Sequence, residues 1–138
     1  MTVRRYCTPR MSVLKRWLPV VAWSAVILLT SNDRFSAAHT GELLRVIFGI
    51  PVPEAINTAM RKLAHLTGYG ILGALAWRAA RVDFKRSLIA AFAVVLLVAS
   101  IDEWHQSMVA SRGGSGWDVL LDLIGASIAI WLFRRISS

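Results

Sequence analysis

Side chains that titrate or hydrogen-bond stand in the most apolar stretches of this chain: His65 and Tyr69 in RKLAHLTGYGILG, Asp102, Glu103 and Gln106 in ASIDEWHQ, and Asp118 and Asp122 in WDVLLDLIG. Imidazole and carboxylate groups can exchange protons with a substrate, and with Lys62 and Arg112 nearby in sequence they could also bind and orient an anion. Such groups are costly in hydrocarbon unless they pair or face a wet cavity, so in a membrane protein they mark a functional site. His65 or Glu103 would be the general base of an enzyme. No nucleophile stands out, because Ser100, Ser107, Ser111 and Ser115 share no distinguishing spacing. His65, His105, Glu103 and Asp118 include metal-ligand types, but no pair has the close helical spacing of HExxH, so neither a metal nor a cofactor is expected.

The elements that must position these residues are apolar runs. Of the 138 residues 56% are hydrophobic, and mean hydropathy is +0.54, above the roughly 45–50% apolar usage of soluble domains. Runs at 17–31, 63–77, 88–101 and 119–133 predict an all-α, polytopic membrane protein of one domain, 1–138, with spans near 15–32, 60–80, 86–106 and 117–134. A soluble four-helix bundle would keep a polar face on each helix, and IAAFAVVLLVAS has none. In the segment between the first two spans, residues 40–49 begin with a capping Thr, carry an acid in the first turn and end at Gly. They read as a short helix on the outer membrane interface. Pro53 suits the first position of the next helix, which should run to about residue 80 and project beyond the bilayer.

Lys and Arg set the orientation. With the N-terminus inside, eleven of the sixteen fall on inner segments, and seven of the eight acids fall outside. Both termini are therefore expected on the cytoplasmic side of the inner membrane. A cleaved leader ending near Ala38 is the competing reading of the first run, and a retained helix fits a short four-span chain better. The formal charge of +8 then forms a collar suited to anionic lipid headgroups. The basic clusters are too short for a nucleic-acid surface, so membrane lipids and no nucleic acid are the expected partners. Cys7 is the single cysteine, which excludes an internal disulfide.

Helical phase groups the polar residues. At about 100° per residue, Lys62, His65 and Tyr69 share one face of the second span, with Gly73 beyond them. Asp102 and Gln106 align on the third span, flanked by Glu103 and His105, and Asp118, Asp122 and Gly125 align on the fourth. All three stripes lie at the outer ends of their spans. Each residue alone could be interhelical glue worth about 0.6 kcal/mol, but so many compensating charges in one layer exceed what packing four helices requires. Residues 68–73 match the dinucleotide fingerprint GxGxxG, yet no strand precedes them, so these glycines read as packing positions.

This constellation resembles the VanZ-like family of small integral membrane proteins. Three blocks carry the resemblance: Lys62-x-x-His65-x-x-x-Tyr69 with Leu72-Gly73; Asp102-Glu103-x-x-Gln106; and Arg112-Gly113 followed by Asp118, Asp122 and Gly125. The chain departs from the family in Ala110-Ser111-Arg112, where Pro-Gly-Arg is common, and in Asp122, where Asn is common. The resemblance implies a role at the cell envelope. Some members are associated with resistance to teicoplanin-type glycopeptides, which act where cell-wall precursors are exposed.

Three functions stand open at this stage. One is a binding protein whose outer cavity recognises a lipid-linked group, for example a cell-wall precursor, through Lys62, His65, Tyr69, Asp102, Glu103, Gln106, Arg112, Asp118 and Asp122. Another is a hydrolase or transferase acting on a lipid headgroup. The third is an oligomeric transporter or accessory subunit, which four helices and a polar cluster at one end suit less well.

Overall fold

In a computed structural model, residues 12–31, 42, 45–47, 49, 53–83, 85–108 and 116–137 are described. Four long helices account for nearly all of them: α1 (Val13–Thr30), α2 (Glu54–Ala80), α3 (Ser87–Ser107) and α4 (Gly116–Ile136). No strand occurs among the described residues, as the apolar periodicity predicts. The Ser12 hydroxyl caps α1 by accepting from the Lys15 amide at 3.4 Å. Pro53 stands one position earlier than expected, as the N-cap of α2, where its carbonyl accepts from the amides of Ile56 and Asn57. The short interfacial helix expected over 40–49 lies largely outside the described residues. Its described positions, Glu42 and 45–47, are helical, and Gly49 ends the turn at φ +71° with its amide on the Arg45 carbonyl at 2.9 Å.

On length and hydropathy, α1 and α3 are long and apolar enough to cross a membrane, with mean hydropathies of 1.5 and 1.9. The expectation of four spans is thus met by two helices on this measure. The physical reason lies in the site itself, since Arg61 and Lys62 in α2 and Asp118 and Asp122 in α4 lower the hydropathy of helices with ample length to span.

Helix α2 is the centre of the bundle and packs against the other three. Its face of small residues makes this possible. A Cβ on Gly70 would stand 3.2 Å from the Gly125 carbonyl oxygen, and one on Gly73 only 2.7 Å from Ala126 Cβ. The sequence therefore permits the backbones of α2 and α4 to approach, as small residues do where lipid supplies no hydrophobic drive. A Cβ on Gly68 would meet nothing within 4 Å, which narrows the close-approach role expected of these glycines to Gly70 and Gly73. The core continues through Leu72 and Ala76 of α2, Ala91, Val95 and Ala99 of α3, and Ala126 and Ile130 of α4, all essentially inaccessible.

Large apolar side chains point outward on every helix: Leu18, Val21 and Leu29 on α1, Leu63 and Ile71 on α2, Leu96 and Leu97 on α3, Ile128 and Leu132 on α4. Buried Asp102, Glu103, Gln106 and Asp122 lie inside. An exterior this apolar around buried carboxyl groups is unusual for a protein folded in water. One end of the bundle is basic and aromatic. There Arg16 pairs with Asp83, Trp77 meets Phe133 edge-on at 6.0 Å, and Arg81 and Arg135 stand over the rings of Trp77 and Trp131. The buried polar residues lie toward the opposite end.

Candidate functional site

Two hydrogen-bonded clusters are built on α2. Tyr69, 1% exposed, donates its hydroxyl to Asp102 Oδ2 at 3.0 Å, and Gln106, one turn along α3, donates to the same oxygen at 3.1 Å. The i, i+4 spacing of Asp102 and Gln106 places both on the face of α3 that meets α2. One turn from Tyr69, His65 reaches the other way: its Nδ1 lies 3.2 Å from Asp122 Oδ1 of α4. Where Asp122 is ionised it accepts at this contact, the ring donates through Nδ1, and Nε2 is left for another partner. The rings of His65 and Tyr69 stack at 6.0 Å with 21° between planes, which joins the two clusters.

The close contact of α4 and α2 sets this geometry. A Cβ at Gly125 would lie 2.2 Å from the Leu66 carbonyl oxygen. Gly125 follows Asp122 by one turn and Leu66 follows His65 by one residue, so the absence of a side chain at 125 lets Asp122 come within reach of the imidazole.

A cavity of about 420 Å³ opens beside these clusters. His65, Tyr69, Asp102 and Gln106 form its polar wall, Arg61 stands on the same wall, and α1 closes it with Trp23, Val26, Ile27, Thr30 and Ser31. Trp23 fixes that helix by donating its indole N–H to the Gly68 carbonyl at 2.8 Å. The volume falls within the range of ligand sites, and the mixture of apolar walls with a few convergent polar groups is the usual composition of one.

The residues singled out in the sequence separate here. His65, Tyr69, Asp102 and Gln106 come together on the cavity. Asp122 is fully buried and touches it only through His65. Glu103 is buried but is not part of the wall, and neither is the half-buried Asp118. Lys62 is exposed, and the cation on the wall is its neighbour Arg61. Arg112 lies outside the described residues. Helical phase could have found Arg61, since Arg61, His65 and Gly68 recur at i, i+4 and i+7. The contribution of α1 carries no such signal, because Trp23 reads in sequence as one more apolar residue. Among the described residues no three His, Cys, Asp or Glu side chains are grouped to hold a metal ion.

A family model described as VanZ/LLP1 matches residues 13–137 of the chain, which includes all four helices and every residue of the cavity. No curated protein and no solved structure matches it.

Proposed function

The chain belongs to the VanZ/LLP1 family, and from that premise we propose that it is a four-span protein of the cell envelope whose cavity binds the polar group of a membrane-anchored lipid. Family membership and the two apolar helices make it a membrane protein. Apolar side chains face outward on α2 and α4 as well as on α1 and α3, which supports four spans. The basic, tryptophan-bearing end fits the cytoplasmic interface by the positive-inside rule, so the cavity faces the outer leaflet and both termini lie inside.

The observation that carries this reading is the cavity itself. Its polar residues are held by one another in a bundle whose exterior is hydrocarbon-like, and its rim carries exposed Val26 and Met60 beside Arg61. A ligand with one polar and one apolar part matches both surfaces. A lipid-linked cell-wall precursor is one such ligand, and protection against teicoplanin-type glycopeptides would follow from binding it at the outer face.

Native mass spectrometry of the protein released from membranes tests this. A lipid should accompany the wild type at one per chain and be lost from the Arg61→Ala/His65→Ala double variant. A folded wild type without lipid, or equal retention by both, refutes the reading.

One observation favours an enzyme as the second reading: the His65–Asp122 contact orients an imidazole as the base of a hydrolase is oriented. Lipid analysis of cells with and without the gene distinguishes the two. A changed headgroup population that reverts in His65→Ala would establish turnover, and an unchanged one leaves binding.

A further inference from the structure

Resting on the lipid-binding reading, the geometry points to a more specific ligand: we infer that the cavity takes a zwitterionic aminophospholipid, with the primary ammonium on Asp102 and the phosphodiester on Arg61.

Asp102 is 2% exposed and stands on the cavity wall. Both donors that reach it, Tyr69 and Gln106, share its Oδ2, and Oδ1 has no hydrogen-bond partner among the described residues. Both donors are neutral, and no Lys, Arg or His of the described residues lies within ion-pair distance of it. A buried acceptor left bare is costly, and a buried carboxylate without a counter-charge more so. A ligand that brings a cationic N–H donor to Oδ1 removes both costs.

Arg61 presents the opposite charge on the same wall, with no carboxylate of the described residues in ion-pair contact. It lies eight residues before Tyr69 on α2, about 12 Å of helix rise, part of which its own long side chain spans. Arg is suited to a phosphodiester because its planar fork donates two parallel hydrogen bonds. One anion deep and one cation near the rim describe a dipolar ligand of small headgroup size. Half-exposed Val26 and Met60 at the rim offer its hydrocarbon chains a path between α1 and α2. A choline headgroup is excluded by its chemistry, since a quaternary ammonium has no N–H for Oδ1, and a glycerol headgroup lacks the charge.

The full-length protein in nanodiscs of defined composition tests this by quantitative exchange of labelled phosphatidylethanolamine, phosphatidylcholine and phosphatidylglycerol. Phosphatidylethanolamine should be retained at least about tenfold over either competitor, the loss expected for one charged hydrogen bond. Asp102→Asn should reduce that preference to near unity. Arg61→Gln, on the partly exposed rim, should weaken phosphatidylethanolamine about tenfold and supplies the test if Asp102→Asn does not fold. Equal retention of phosphatidylcholine would overturn the N–H donor. A preference for phosphatidylglycerol that requires Arg61 would overturn the ammonium while leaving the lipid cavity standing. Retention of no lipid, or retention indifferent to Arg61→Gln, would overturn the cavity reading as well. Displacement by soluble glycerophosphoethanolamine at equal concentration would assign the site to the free headgroup and overturn the lipid.

Discussion

A Cβ on Gly125 would stand 2.2 Å from the carbonyl oxygen of Leu66. No side chain fits there, and the obstacle is main chain, which cannot rotate away. The α2–α4 seam is therefore specified by the lack of an atom, and the His65–Asp122 contact beside it depends on that seam.

Gly125→Ala should destabilise the protein by about 3 kcal/mol, at the upper end of the overpacking range because backbone must move. Gly68→Ala meets nothing within 4 Å and should leave stability unchanged or raise it by up to about 1 kcal/mol through helix propensity. Thermal unfolding of both variants in one detergent measures the contrast. Equal losses would mean that the seam is not close-packed.

His65 and Asp122 should be coupled more strongly than ordinary interhelical polar pairs, which average about 0.6 kcal/mol in membranes. The bond joins a ring N–H to a carboxylate with 0% exposure, so a double-mutant cycle with His65→Ala and Asp122→Leu should return about 1.5–3 kcal/mol. Asp122→Asn keeps an acceptor for Nδ1 and should lose less than Asp122→Leu. A coupling near zero would reduce both residues to independent packing.

Topology is testable with single cysteines in a Cys7→Ser background. On intact cells a membrane-impermeant maleimide should label Ser115→Cys. Ser138→Cys should react only after permeabilisation. Labelling of Ser138→Cys from outside would invert the orientation and move the cavity to the cytoplasmic leaflet.

Glu42 and Arg45 form an exposed ion pair at 2.8 Å. The hydrogen bond and charge of Arg45 hold the Glu42 carboxyl below its ordinary value of 4.5. A carboxyl whose folded value is depressed adds stability above its unfolded value and loses it as pH falls through the folded one. Arg45→Ala should therefore return the Glu42 titration upward, read by NMR of the side-chain carboxyl, with little change in global stability because both groups are exposed.

Composition, periodicity and charge placement in the amino-acid sequence determined an all-helical chain and grouped its polar residues into stripes along single helices. These are local properties: hydropathy and helical phase depend on neighbours three to seven residues away. They also marked His65, Tyr69, Asp102 and Gln106, because each interrupts an apolar face.

Only the tertiary structure decided which of those residues meet. Lys62 and Arg61 are adjacent in sequence and about 100° apart on the helix, so the rotation of α2 against α1 selects Arg61 for the cavity and leaves Lys62 exposed. Glu103 and Asp102 are divided in the same way by the rotation of α3, with both buried and Asp102 alone on the wall. That Trp23 closes the site, and that a missing methyl at Gly125 brings Asp122 to His65, depend on distances between helices. Such distances follow from the packing of whole faces, and no pattern along a single helix encodes them.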